Sequence, residues 1–172
     1  MILRIIPRMA FDTWNVDAAL DRVRVAYHEA GHAVAAWTLG IPFIEVSILP
    51  TPGQGEVARA LDSIREQRGE TAMHVSAAVF LLAGQCAQMR WDHNSFWFGC
   101  KQDRADARAH AERLFVDLNM FETQAAELIR AEWHRVEALA AALLDQLTIA
   151  GPDAVQILES ATALPREPKR AP

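Results

Sequence analysis

The feature that most constrains this chain is a run of five residues, His28-Glu29-Ala30-Gly31-His32, set inside a long stretch without proline. From Ala18 to Leu39 nothing breaks a helix, and Val23, Ala26, Tyr27, Ala30, Val34 and Trp37 recur at helical spacing. Asp17 is placed to cap the first turn. Gly40 followed by Pro42 supplies a stop, with glycine just past the end and proline beyond it. The five residues therefore lie well inside a helix, where positions i and i+4 share one face. Two imidazoles on that face can reach a single metal ion, and the glutamate sits beside the first of them.

Histidines four apart with an intervening glutamate form the HExxH pattern of zinc peptidases, in which the glutamate acts on the metal's water. A catalytic zinc site uses three protein ligands and keeps one position for water. The third ligand must come from elsewhere in the chain. A histidine six residues after the second would mark another zinc-peptidase class, but that position is Thr38. Downstream candidates are Asp92, His93, Asp103, Asp106, His110 and Glu112, and spacing alone does not choose among them. Ala30 and Gly31, inside the motif, are small enough to let a second element pack close to the metal face.

With 172 residues, a single domain is expected over 1–164, followed by a charged, proline-rich and disordered tail over 165–172. The residues are 51% hydrophobic, enough for a sizeable core. A net charge of -5 argues against a nucleic-acid partner. Cys86 and Cys100 match no common zinc spacing and read as reduced thiols. The start of the chain is too short and too broken for a signal peptide. The longest apolar stretch, Val75 to Gly84, falls short of a membrane span. A cytoplasmic location is the simplest expectation.

Further along, Phe43 to Leu49 reads as a strand and the Pro50–Gly55 stretch as a loop, with Glu56 to Ala60 as a return strand. Leu61 to Gly69 reads as irregular or a short helix. Glu70 to Arg90 predicts a long helix, apolar on most sides and so central to the fold. An aromatic loop follows over Trp91 to Gly99, then helices over Lys101–Leu118, Glu122–Leu147 and Asp153–Thr162. The fold class expected is mainly α with a small β-hairpin or sheet. The tryptophans at 37, 91, 97 and 133 are expected to be core or loop anchors.

Beyond these readings, Val25-Ala26-Tyr27-His28-Glu29-Ala30-Gly31-His32-Ala33-Val34 resembles the zinc helix of the FtsH-type proteases, which are ATP-dependent, membrane-anchored zinc peptidases. Val46-Ser47-Ile48-Leu49-Pro50 with Gly55 resembles that family's strand and proline-glycine loop. Leu82-Ala83-Gly84-Gln85-Cys86-Ala87 resembles its "LGGRAA" segment, and Gly99 to Ala107 its "GAxxDLxxA" segment. The likeness runs in the family's order from about Val25 to His110. It implies a helical zinc-peptidase domain in which Asp103 matches the third zinc ligand. The chain departs from the family at Gln88 and Met89, which replace paired glutamates, and at Arg104, which replaces a hydrophobic residue. It has no GxxxxGK[ST] pattern, so the likeness is to the peptidase part, without the ATPase or the membrane anchor.

The resemblance implies one zinc ion held by His28, His32 and Asp103, with Glu29 as the catalytic base. The expected activity is endopeptidase action on unfolded or flexible polypeptides, independent of ATP. The alternatives are a catalytically silent metal-binding module, or a peptidase subunit fed by a separate ATPase or assembled as a homo-oligomer. The Phe43–Ala60 hairpin is expected to take an extended peptide by edge addition. Asp106 and His110 are candidates for partners behind the ligands, but a solvated helix face is the blander expectation for both. His93 in the aromatic loop is a candidate substrate contact, although a loop histidine without a special role is favoured. His74 and His134 read as structural.

Overall fold

The computed structural model describes residues 3–5, 18–49, 56–93 and 99–162. The expected cap Asp17, the loop at 50–55, the rings of Phe96, Trp97 and Phe98, and the tail at 165–172 lie outside those residues. The described residues form seven helices and three strands.

Helix α1 spans Ala18–Leu39, as the sequence predicts. It ends where Gly40 takes φ +73°, the left-handed conformation that glycine adopts without strain. There the N–H of Ile41 reaches back to the Ala36 carbonyl at 2.8 Å.

The sheet is mixed. β1 (Leu3–Ile5) runs parallel to β2 (Phe43–Ser47), and β3 (Thr148–Ala150) pairs antiparallel on the other side of β2. Val46 lies opposite both Ile5 and Ile149, and all three are buried. The return strand expected at Glu56–Ala60 does not form. Those residues open α2, Glu56–Arg68. Positions 57, 61 and 64 are apolar at helical spacing, and Leu61 and Ile64 are buried. Both edges of β2 are already filled by β1 and β3, so no hairpin exists for a peptide to extend. The hairpin expected over Phe43–Ala60 is thereby corrected.

Helix α3, Glu70–Trp91, lies at the centre and packs against α1, α2, α4 (Gly99–Arg113) and α5 (Leu118–Ala131). Residues 76–84 are buried without interruption, which accounts for an apolar surface on every side. This helix is long and apolar enough to cross a membrane, unlike the shorter stretch read from sequence, and 72% of its most apolar window is buried inside the fold.

The single helix expected over Glu122–Leu147 is two, α5 and α6 (Trp133–Gln146). The chain turns at Glu132 because α5 packs mainly on α3 and α6 mainly on α1. Arg135 pairs with Glu132 across the turn. Helix α4 also ends earlier than expected, because Asp117 caps α5 by accepting the N–H of Asn119 at 2.8 Å. Helix α7, Gly151–Ser160, is the last helix among the described residues and has Pro152 in its first turn.

The tryptophan reading holds at three of the four positions, while Trp97 falls outside the described residues. Tyr27 stacks between Trp91 and Trp133 at ring separations of 5.3 and 5.6 Å. Arg135 lies over Trp37. One layer of rings thus joins α1, the end of α3 and the start of α6, one residue before His28.

Candidate metal centre

His28 and His32 point from α1 toward the crossing with α3. The helices approach there because both carry small residues. A Cβ on Gly31 would lie 2.6 Å from Ala87 Cβ and 2.7 Å from the Ala83 carbonyl oxygen. A Cβ on Gly84 would lie 2.5 Å from His32 Nε2. Neither position has room for a side chain, so the imidazole itself packs against the backbone of α3. Helix α4 then carries Asp103 across the α1–α3 crossing.

Three donor atoms converge. Asp103 Oδ2 lies 3.1 Å from His28 Nε2 and 3.3 Å from His32 Nε2, and the two Nε2 atoms are 3.0 Å apart. That spacing lies a little inside the roughly 3.3–3.6 Å that separates ligands bound about 2.0–2.2 Å from one tetrahedral centre. All three residues are buried, and so is Glu29. Two neutral nitrogens and one carboxylate oxygen are a donor set for a divalent transition ion, and the group can hold one.

The electrostatics keep the Asp103 carboxylate ionised. Burial alone would raise the Asp103 carboxyl, yet hydrogen bonds from His28 and His32 outweigh it and hold the group well below the usual carboxylate range. Burial pushes His28 down, reinforced by the charge of His32. Burial opposes charge on His32 too, but Asp103, Glu29 and the Phe80 carbonyl together raise it. Glu29 is therefore within electrostatic reach of the cluster, one residue along α1 from His28.

Both imidazoles are held from behind. His32 Nδ1 donates to the Phe80 carbonyl oxygen at 2.8 Å, which leaves Nε2 to face the cluster. On His28, Nδ1 faces Cys100 Sγ at 3.8 Å, and the Gln88 side chain hydrogen-bonds the ring. Cys100 in turn donates to Gln88 Oε1 at 3.5 Å. Sequence reasoning missed Gln88 and Cys100 as supports. The available signal was a glutamine in the last turn of an apolar helix, a group that needs a partner when buried.

Of the other ligand candidates, Asp92 pairs with Arg24 at 3.2 Å, while His93 and Glu112 are exposed. Asp106 accepts from Gln102 at 2.8 Å, and His110 meets His74 rather than either ligand histidine. His134 contacts Arg135 at 3.0 Å. Neither cysteine forms a disulfide, and burial, then the charge of Glu122, pushes the Cys86 thiol up to about 11.

No model of a known protein family matches the sequence, and no curated protein does.

What the cluster offers chemically is three converging donors, two of them braced from behind, with an adjacent buried carboxylate. Such an arrangement can hold a Lewis-acidic ion and keep a proton acceptor next to it.

Proposed function

We propose that this chain is the core of a zinc-dependent endopeptidase related to the FtsH-type peptidases, acting on unfolded or flexible polypeptides. The observation that carries the reading is the convergence of His28, His32 and Asp103 beside Glu29. The order of the matching segments along the chain adds support. Zinc held by the three ligands would supply Lewis acidity and bring a water near neutral pKa. The Glu29 carboxylate would accept that water's proton and return it to the leaving amine. Phe80, Gln88 and Cys100 would keep the two imidazoles in register, so that Glu29 stays beside the reacting groups. The reading takes substrates that are already unfolded, or that an ATPase delivers unfolded.

A second reading, a metal-stabilised module without catalysis, draws on one observation: all four residues are buried. A substrate must reach the ion, and a purely structural ion need not be reached.

The two readings separate in one experiment. Zinc-loaded protein is offered casein and a quenched fluorescent peptide, alongside Glu29→Gln, with zinc content measured for each. Cleavage lost in Glu29→Gln at unchanged zinc content supports the peptidase. Cleavage that survives Glu29→Gln removes the proposed role of that residue. Zinc bound by both forms with no cleavage by either assigns the structural module.

A further inference from the structure

Helix α4 has little apolar surface with which to dock. Among its described side chains, those buried are Cys100, Asp103, Ala107 and Ala111. A methyl or a thiol contributes far less on burial than a leucine or an isoleucine would. Polar ties therefore hold much of this helix. Asp103 makes one at the α1–α3 crossing, and Arg104 makes another by pairing with Glu122 of α5. The third lies two turns beyond Asp103, where His110 meets His74 of α3. Their Nδ1 atoms are 2.8 Å apart, with the ring planes inclined at 55°.

A hydrogen bond between two imidazoles needs one donor and one acceptor. With both rings neutral, one donates its Nδ1–H and the other accepts. A first added proton leaves the bond in place, because an imidazolium donates to a neutral ring. A second puts an N–H on each side of the gap and a positive charge on each ring, and the contact must part. The charged groups acting on His110 are His74 across the interface, and Asp106 and Arg113 on its own helix. Glu70 faces His74 from one turn earlier on α3, with Oε1 3.6 Å from Nε2. Burial holds His110 below its ordinary value, and His74 adds to this; Asp106 opposes it, and Arg113 adds again. The unfolded chain takes the proton more readily, so the closed pair is favoured above about 6.5 and is lost as pH falls through the lower folded-state value.

We propose that the His74–His110 pair is a proton-operated clasp that docks α4 on α3 and thereby sets whether Asp103 reaches the metal cluster. The clasp stands without the endopeptidase reading; its effect on Asp103 rests on the metal cluster alone. Because α4 is one continuous helix from Gly99 to Arg113, loss of its hold at His110 moves Asp103 as well.

The test compares wild type with His110→Gln, whose amide can donate or accept and so keeps the contact at any pH. Hydrogen exchange of the metal-free full chain is read by mass spectrometry at about pH 7 and about pH 5, corrected for the intrinsic pH dependence of exchange. Wild-type α4 loses protection at the lower pH relative to α6 and α7, and the variant's α4 does not. Zinc affinity by chelator competition is the second readout. Protonation of the ligand histidines weakens both proteins alike and cancels in their ratio, so wild type falls at least about 10-fold further than His110→Gln between the two pH values. Wild-type α4 protection that follows the rest of the fold across this range overturns the clasp, and that readout needs no variant to fold. A zinc ratio that stays constant overturns the coupling to Asp103. A chain that binds no zinc at either pH removes the metal centre and the coupling with it, while α4 exchange still decides the clasp.

Discussion

Gly84→Ala isolates the metal cluster from the rest of the fold. The added methyl lies 2.5 Å from His32 Nε2 and 2.8 Å from both Cδ2 and Cε1. Non-bonded heavy atoms rest about 3.5–4.0 Å apart, so the ring must retreat by about 1 Å. It has nowhere to slide. His32 Nδ1 is held by the Phe80 carbonyl at 2.8 Å, and its helix is held at Gly31 against Ala83 and Ala87. Metal–ligand distances tolerate only about 0.2 Å, so the displaced Nε2 leaves the ligand set. The cost to the fold is smaller. Alanine gains about 1 kcal/mol over glycine inside a helix. Overpacking costs about 1–3 kcal/mol. The metal-free protein therefore loses about 0–2 kcal/mol, or up to about 8 °C in Tm at this chain length.

The assay is thermal melting with and without zinc, together with chelator competition. At zinc equal to about 1,000 Kd, wild type gains about 4 kcal/mol from binding. A loss of affinity of at least about 100-fold, the upper end for disturbing groups behind a ligand, leaves about 1.4 kcal/mol of that gain. Gly31→Ala is the control. Its methyl meets the Ala83 backbone carbonyl and Ala87 Cβ, so it weakens the α1–α3 crossing even without metal. If Gly84→Ala binds zinc as wild type does, His32 Nε2 does not face the ion as described, and the reasoning fails.

Two further outcomes are expected. Gln88→Leu, close in volume, removes a hydrogen bond to His28 and lowers zinc affinity by about 10–100-fold, measured by chelator competition, with little change in helix content. Acid should weaken the α3–α4 interface through His110, whose pKa is lowered by burial, then His74, with Arg113 adding to the fall and Asp106 opposing it. The unfolded chain takes up the proton first, so metal-free stability falls as pH drops below about 6.5 toward the folded-state value. Urea unfolding between pH 5 and 7 shows that slope, and a slope unaltered in His110→Gln would acquit His110.

How much of this was legible depended on how local the cause was. Helix α1 announces itself through its proline-free run, its apolar spacing and Gly40. Helix α3 does so through an apolar surface that only a central element can carry. Only the start of α2, Glu56 to Ala60, reads as a strand, because a short segment after a turn-rich loop looks like a hairpin arm until the edges of β2 are known to be filled. No proline or glycine marks the break at Glu132; the turn follows from α5 and α6 having different partners. The outer strands are three residues each, too short to show alternation. In the site, helical spacing alone pairs His28 with His32, whereas Asp103 was singled out by resemblance and then placed by the packing of α4. Gln88 stands out only as a glutamine in an apolar helix, and Cys100 and the His74–His110 contact join residues far apart in sequence with nothing distinctive by themselves.

The small residues that let α1 and α3 cross also build the cluster. Ala30 and Gly31 on one helix, with Ala83, Gly84 and Ala87 on the other, bring the backbones close enough for an imidazole to sit on a glycine and reach the Phe80 carbonyl. A larger residue at Gly31 would separate the helices, and one at Gly84 would push the His32 ring away from Asp103. Helix packing and ligand geometry are therefore one variable: whatever loosens the crossing lowers metal affinity. The converse follows by linkage. An ion that binds only the closed arrangement stabilises that arrangement by its own binding free energy. Burial of a carboxylate against two imidazoles places α1, α3 and α4 in a state that an ion completes, so stripping the metal should loosen these three helices before it reaches the α6–α7 side of the fold.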